Sequence, residues 1–185
     1  MTTYIINFSG PINPVTSERI RDTCLHALSQ GASEIRLHIS SEGGSTVHGF
    51  TLYHFLRSIP VPLVMHNTGN IDSIAVVVFL AGTTRLACPH SRFLIHPLQW
   101  GFNSGTVDHA RLREYVSSLD YDLERYAQVF EERTKGTKEP LDIRTHLSDQ
   151  EKVVTPTVSL ASGITIGIAE AAILEGAISC WISAQ

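Results

Sequence analysis

Short apolar runs typical of buried β-strands alternate with segments of helical periodicity in the first half of the chain. The strand-like runs are residues 4–8, 35–39, 61–65 and 92–95. Helices are predicted between the first three runs: one at about residues 16–29, capped by Thr16 or Ser17, and one at 45–58, with Val47 facing inward. Parallel strands need crossover connections, which helices usually supply. The sequence therefore predicts an α/β fold with a mostly parallel sheet.

The apolar segment at residues 74–82 is the stretch whose secondary structure this pattern leaves open. Its β-branched residues favour a buried strand. A helix that opens at Ser73 agrees equally well with the strand–helix alternation before it. In that case Ser73 or Asp72 would cap the helix through its side chain.

Residues 107–133 carry the clearest helical pattern. One apolar stripe runs along this segment, made of Leu112, Tyr115, Val116, Leu119, Leu123, Tyr126 and Phe130. At about 1.5 Å per residue the helix would span about 40 Å, which is longer than a domain of 185 residues needs. We expect residues 1–185 to form a single domain. Because the helix is longer than such a domain needs, we expect one end of it to pack on another subunit. After this helix the sequence predicts a loop at 134–140, a short helix at 156–162 capped by Gly163, and an apolar tail.

The composition limits which partners the chain can have. Hydrophobic residues make up 43% and charged residues 17%, a globular balance. The net charge of −4 gives no electrostatic reason to expect binding to nucleic acid or to an acidic membrane. The three cysteines lie far apart, which argues against a disulfide framework or a zinc site.

Other classes of site and location are also disfavoured. No pair of histidines has the H-x-x-x-H spacing, and no phosphate-binding glycine motif is present, so we expect no metal and no nucleotide cofactor. The first residues lack a basic region followed by an apolar core, and the apolar run at 74–82 is too short to span a membrane. We expect a cytoplasmic protein.

Two residues suited to nucleophilic catalysis lie at the edges of apolar runs. Ser73 follows a glycine-containing turn, and His96 ends the run at 93–95. A serine becomes nucleophilic when a general base takes its proton, and Gly43 and Gly44 form a turn that could present free backbone N–H groups. Each has a structural alternative: a helix cap for the serine, a backbone-bonded strand end for the histidine, and a tight turn for the glycines.

Three motifs, in order, resemble those of the Clp protease proteolytic subunit. They are I-R-L-H-I-S-S-E-G-G-S, then G-N-I-D-S-I-A followed by L-A-G, then P-H-S-R-F-L-I-H-P. They are similar to the family's strand with its Gly-Gly loop, its nucleophile helix and its base strand, and the similarity runs from Ile5 to about Ile166. The resemblance implies the Clp/crotonase fold, an α/β fold of repeated ββα units with a long handle helix, here at about 107–133. It also favours a helix after Ser73.

The resemblance implies a serine endopeptidase. Ser73 falls on the family's nucleophile and His96 on its general base, while the backbone N–H groups of Gly43 and Ile74 fall on its oxyanion hole. The implied substrate is a peptide or an unfolded protein, cleaved without a cofactor inside a ring-shaped homo-oligomer. The family's N-terminal segment, which helps to engage an AAA+ unfoldase, has no counterpart before Tyr4, so an unfoldase partner is possible but unsupported by the sequence.

Three positions depart from the family's pattern. The third member of the catalytic triad aligns with Glu151, where the family has an Asp, and Asp149 is an alternative two residues earlier. Glu42 replaces a proline in the Gly-Gly loop, and Asp72 replaces a small residue before the serine. Carboxylates near an oxyanion oppose its charge unless they point to solvent or pair with a cation.

Two further functions stay open. A crotonase-like enzyme would stabilise a thioester enolate with the same two N–H groups, without needing Ser73 and His96 together. A catalytically weak paralogue would only assemble rings. Trp100 and Phe102 follow the base strand, and they are expected either to line a substrate cleft or to form a ring interface.

Overall fold

A computed structural model describes residues 2–102 and 105–182 of the chain. The elements in chain order are β1 (Thr3–Ser9), α1 (Pro14–Ser29), β2 (Glu34–Ser41), α2 (Thr46–Arg57), β3 (Leu63–Asp72), α3 (Ala75–Phe79), β4 (Thr84–Ala87), β5 (Arg92–Ile95), α4 (His109–Arg133), α5 (Ile143–Ser148), β6 (Lys152–Val154), α6 (Pro156–Ala161), β7 (Gly167–Ile168) and β8 (Ile178–Ile182). Strands and helices alternate from β1 to β4, and the part of this alternation from β1 to β3 is the part that the sequence predicts.

These strands form one sheet in the order β6-β5-β3-β2-β1-β8, with β4 lying between β3 and β7. Every strand pair is parallel except β5 with β6, which is antiparallel. The predicted α/β fold with a mostly parallel sheet is confirmed.

Strand β3 extends beyond its predicted end, and this extension builds the edge of the sheet that matters for function. Its first half pairs with β4, from Val64 to Asn67, and its second half pairs with β5, from Asn70 to Asp72. The predicted turn at Gly69 is therefore wrong, because that glycine lies inside the strand. The ladder with β5 carries the chain directly to Ser73.

The first two helices begin where local side chains cap them. Asn13, rather than Thr16 or Ser17, caps α1, because its side chain accepts from the Thr16 N–H while Thr16 bonds back to the Asn13 N–H. Ser45 caps α2. Val47, which we expected to face inward on α2, is 63% exposed and lines an open groove between α2 and α4.

The segment after Ser73 is a short helix, α3, and not a strand. All five of its residues are buried, and it contacts β3, β5, α2 and α4. A helix enclosed on every side is apolar all round. Packing therefore overrides the strand preference of its three consecutive valines.

The long helix α4 is buried along only part of its length. Near its C-terminal end Tyr126, Ala127 and Phe130 are buried in the core, whereas Leu112 and Val116 near its N-terminal end are exposed. The Arg133 guanidinium donates to the carbonyls of Leu80 and Gly82. The C-terminal half of the predicted apolar stripe thus packs on this chain, and the N-terminal half faces outward.

After α4 the sequence predicted only a loop, one short helix and an apolar tail. The helix is confirmed as α6, with Gly163 in a left-handed conformation just beyond it. The elements α5, β6, β7 and β8 were missed, as was the earlier strand β4. In the part of the chain that the structure describes, no helix is both long and apolar enough to cross a membrane.

Candidate active site

Ser73 occupies a strained turn between β3 and α3. Its φ of 57° lies in the left-handed region that residues with side chains seldom adopt. Its N–H donates to the carbonyl of Leu94 at 2.8 Å, and its carbonyl accepts from the Val76 N–H at 3.0 Å and from the Tyr126 hydroxyl at 3.1 Å. Such strain persists where the surroundings fix the backbone from several sides.

The prediction that Ser73 or Asp72 caps the following helix is wrong. The helix begins at Ala75, and Ile74 holds the cap position without any side-chain hydrogen bond. A capping residue has an extended backbone, which the left-handed Ser73 lacks, and Asp72 is the last residue of β3. Because α3 has only five residues, it carries little of the dipole expected from a longer helix.

His96 follows β5, beside the serine turn. The ladder pairs Asp72 with Leu94, so His96 lies two residues past that pair. Its Nδ1 lies 2.8 Å from the Pro97 carbonyl oxygen. Since a carbonyl only accepts, Nδ1 carries the proton, and Nε2 is the nitrogen left to accept one.

Ser73 and His96 line the same cavity, of about 300 Å³. The other lining residues come from the Gly-Gly loop, the start of α2, the segment after β5, and α4: Glu42, Gly44, Thr46, Leu98, Gln99, Trp100, Leu119 and Asp122. Within residues 2–102 and 105–182, no hydrogen bond joins the Ser73 hydroxyl to His96. In enzymes without substrate such bonds are often long and tighten on binding.

A larger groove of about 760 Å³ lies between α2 and α4. Its lining includes neither Ser73 nor His96, so size alone does not identify the site. Trp100 lines the smaller cavity and stacks on Tyr115 of α4, with ring centroids 4.4 Å apart. Phe102 contacts Tyr115 edge-on and is exposed.

The Gly-Gly loop lies directly against the serine turn. A Cβ atom at Gly43 would lie 2.6 Å from the Asp72 carbonyl oxygen and 2.7 Å from the Ser73 Cβ. Gly43 also has a φ of 85°. No other residue fits here without moving the backbone.

Two backbone N–H groups are predicted to form the oxyanion hole, and in the described chain one of them has no hydrogen-bond acceptor while the other has one. Among the described residues, the Ile74 N–H has no acceptor. The Gly43 N–H donates to the Ser41 hydroxyl at 3.2 Å. A Cβ at Gly43 would lie 3.4 Å from the Ile74 nitrogen, so the two groups are neighbours.

The carboxylate of Asp72 is paired with a cation. Its Oδ2 lies 3.1 Å from Nη2 of Arg92, while its Oδ1 is buried without a partner in the described part of the chain. Burial raises the pKa of Asp72, and the charge of Arg92 opposes that rise. Glu42 is exposed at the cavity. Asp72 is thus paired with a cation and Glu42 is exposed to solvent, and these are the two conditions under which a carboxylate is compatible with a nearby oxyanion.

In the described part of the chain, no carboxylate is hydrogen-bonded to the His96 side chain. Glu151 and Asp149 are both exposed. Strand β6 pairs Lys152 with Ile95 in antiparallel register, so continuing that register by one residue would set Glu151 opposite His96. Among the described contacts, the Pro97 carbonyl is the hydrogen-bond partner of His96.

Sequence reasoning missed four groups around this site: Ser41, Arg92, the Pro97 carbonyl and Tyr126. Two of them had a signal. Arg92 begins the strand that ends at His96, and Tyr126 carries a hydroxyl on an otherwise apolar stripe. The bonds of Ser41 and Pro97 depend on local backbone geometry that no spacing reveals.

Two other histidines, His38 and His66, form a buried pair on β2 and β3. Their ring centroids are 5.6 Å apart, His38 Nδ1 lies 3.2 Å from the side-chain oxygen of Asn7, and His66 Nε2 lies 2.9 Å from the carbonyl of Ala169. Burial lowers the pKa of His38 to about 4 and also lowers the pKa of His66. No group of three or more His, Cys, Asp or Glu residues within the described ranges could hold a metal ion.

Comparison with known proteins matches the chain to one family. The sequence model of the Clp protease family matches residues 1–171. ATP-dependent Clp protease proteolytic subunit 2 of Treponema denticola is 31% identical over 99 residues, which are 52% of this chain and 50% of that protein. The match thus spans about half the length of this curated relative.

The solved structures agree on the fold. A mutant of ClpP1 from Listeria monocytogenes superposes with a TM-score of 0.76 at 20% identity, over 90% of this chain and 91% of that one. The expected Clp/crotonase-like α/β fold is confirmed. The chain belongs to the Clp protease family.

Proposed function

We propose that this chain is a serine peptidase in which Ser73 attacks the carbonyl carbon of a peptide bond. Nε2 of His96 takes the hydroxyl proton as the Ser73 oxygen bonds to that carbon, and then gives the proton to the leaving amine. Water then attacks the acyl-enzyme. Nε2 of His96 takes the proton of the water and gives it to the Ser73 oxygen as the acyl group leaves. No cofactor enters this chemistry.

The observation that carries the proposal is the placement of Ser73 and His96. The serine lies on a left-handed turn between a strand and a helix, and the histidine on the adjacent strand lines the same cavity. The proton on His96 Nδ1 is held by a carbonyl, which leaves Nε2 as the base. Membership of the Clp protease family supports the same reaction.

The oxyanion would be stabilised by backbone N–H groups next to the serine. Ile74 supplies the open donor, and Gly43 would join it when the Ser41 hydroxyl turns away. Preorganised donors of this kind each contribute about 10²–10³ in rate in serine proteases. The Arg92 partner of Asp72 reduces the repulsion that a carboxylate beside the serine would exert.

In place of the third member of the catalytic triad, we propose that the Pro97 carbonyl fixes the tautomer of His96 in the resting site. Glu151 is the carboxylate that the β5–β6 register would bring nearest, and it would stabilise the imidazolium that forms during attack. Asp149 lies at the end of α5, and we give it no role.

The substrate we propose is an extended segment of a peptide or unfolded protein, cleaved in a homo-oligomeric ring. A cavity of about 300 Å³ accommodates a side chain and adjoining backbone, not a folded domain. The N-terminal half of α4 supports the assembly, because its apolar residues Leu112 and Val116 are exposed.

The proposal is tested by hydrolysis of an unfolded, fluorescently quenched protein. We expect Ser73→Ala and His96→Ala to lower kcat/KM by at least about 10³. Ser58→Ala, an exposed serine at the end of α2, should match the wild type. Turnover by Ser73→Ala at the wild-type rate would rule out this mechanism.

One observation favours a second candidate, the ring-forming paralogue with little activity. The Gly43 N–H is engaged by Ser41, and in the described chain no hydrogen bond joins Ser73 to His96. This candidate predicts assembly without hydrolysis. No observation favours the crotonase-like alternative.

A further inference from the structure

Tyr126 is a buried polar group that connects α4 with the serine turn. Its side chain is 1% exposed, and its hydroxyl donates to the Ser73 carbonyl oxygen at 3.1 Å. Burial raises the pKa of the phenol, so the hydroxyl remains a donor at physiological pH. This bond joins groups 53 residues apart in the chain.

The bond acts on one particular peptide unit. The carbonyl of Ser73 and the N–H of Ile74 belong to the same planar unit, in which the two groups point in opposite directions. A donor that fixes the direction of the carbonyl therefore fixes the direction of the N–H. That N–H is the open oxyanion donor of the site.

The turn depends on this contact because its conformation is strained. A left-handed backbone is costly for a residue with a side chain and persists only where neighbours hold it. The other donor to the Ser73 carbonyl, Val76 N–H, comes from the same turn. Tyr126 is the donor from a separate element.

We propose that Tyr126 is a positioning residue that orients the Ile74 N–H toward the oxyanion. The proposal rests on the proposed peptidase function. Arg133 of the same helix donates to the carbonyls of Leu80 and Gly82, at the far end of the α3 segment. Helix α4 thus holds the segment at both ends, and the direction of the oxyanion donor depends on where α4 lies.

The test is the rate at which a fluorophosphonate probe labels Ser73 in Tyr126→Phe, which removes only the hydroxyl oxygen. We expect the limiting rate of labelling to fall about tenfold, a smaller loss than complete removal of an oxyanion donor causes. The probe concentration at half-maximal rate should be unchanged, because probe binding does not need the oriented N–H. Tyr126→Met serves as a second variant without a donor if the phenylalanine variant does not fold.

Two controls separate orientation from stability. Tyr53→Phe removes a hydroxyl from another buried tyrosine and should label at the wild-type rate. Phe130→Leu opens space one turn further along α4, and it should lower the melting temperature while the limiting rate stays unchanged.

Each result has one meaning. If the wild type is labelled and the Tyr126 variants are labelled at the same limiting rate, the positioning role is overturned and the proposed peptidase function stands. An equal loss of rate in Phe130→Leu would also overturn it, since the effect would then come from loosened packing. Absence of labelling in the folded wild type would instead contradict the proposed function itself.

Discussion

Gly43 is a residue of the site whose backbone leaves no room for a side chain. A Cβ there would meet the Asp72 carbonyl oxygen at 2.6 Å, while Gly31, with nearly the same φ of 79°, has open space around it. We expect Gly31→Ala to lower the free energy of unfolding by about 1–2 kcal/mol, the cost of the left-handed backbone alone, and to leave labelling of Ser73 unchanged.

Gly43→Ala should cost more than Gly31→Ala, because the added methyl group also displaces the serine turn. We expect at least a tenfold slower labelling of Ser73 by the fluorophosphonate. Urea denaturation and labelling kinetics on the two variants measure both effects. Equal behaviour of the two variants would show that the close approach of the loop has no role at the site.

The role of Glu151 can be measured against that of His96. Because a carbonyl already holds His96 Nδ1, we expect Glu151→Gln to lower kcat/KM by less than about tenfold, whereas His96→Ala loses at least about 10³. Asp149→Asn is the matched control and should have no effect. A loss in Glu151→Gln as large as that in His96→Ala would mean that the carboxylate replaces the carbonyl in the working enzyme.

At the scale of single residues, the sequence predicted side chains that line one cavity, and it missed the hydrogen bonds that orient them. Ser73 and His96 could be placed together because the motifs that contain them resemble the nucleophile and base motifs of the Clp protease family. The contact of Tyr126 with Ser73 could not, since it depends on packing between elements distant in the chain. The Ser41 bond to Gly43 could not either, since it depends on local backbone geometry. The left-handed turn at Ser73 carried no composition signal, because such turns usually contain glycine.

Strands β2 and β3 carry the buried pair His38 and His66, which makes stability depend on pH. Burial lowers the pKa of His38 to about 4, well below the ordinary value of 6.5. In that interval the unfolded chain binds a proton that the folded chain does not, so the stabilisation present above pH 6.5 is lost as the pH falls toward 4. For His38 alone the loss is about 3 kcal/mol.

Urea denaturation between pH 4 and 8 measures this dependence. His38→Gln should flatten it, while His90→Gln, at an exposed turn, should leave it unchanged. An equally steep dependence in His38→Gln would show that other groups govern acid stability.

Among the elements, periodicity predicted those that bury one face or stripe. The strand pattern of β2 and the apolar stripe of α4 each survive in the structure. The short elements were missed because ladder pairing holds them, as with β6 against β5 and β7 against β4. The start of α1 was misplaced since Asn13 offered a better cap than the residues after it.

Across the whole molecule, the exposed half of α4 is the surface we propose to hold subunits together. Val116 is 57% exposed and lies one turn from the exposed Leu112. We expect Leu112→Asp and Val116→Asp to lower the oligomer mass measured by light scattering, because a carboxylate in an apolar interface is costly to desolvate.

Ser118→Asp is the control for that experiment. It adds the same charge to the opposite side of the same helix, so the assembly should survive. A wild-type protein that is monomeric, or an unchanged mass in both apolar variants, would contradict the assembly that we propose.

The central claim is that Ser73 is a nucleophile activated by His96, and covalent labelling tests it most directly. The folded protein is treated with a fluorophosphonate, and the adduct is mapped by mass spectrometry beside Ser73→Ala and His96→Ala. We predict a single adduct on Ser73, absent from the alanine variant at that position and slowed at least about 10³-fold in His96→Ala. Labelling at another serine, or labelling of Ser73 that persists unchanged in His96→Ala, would contradict the account.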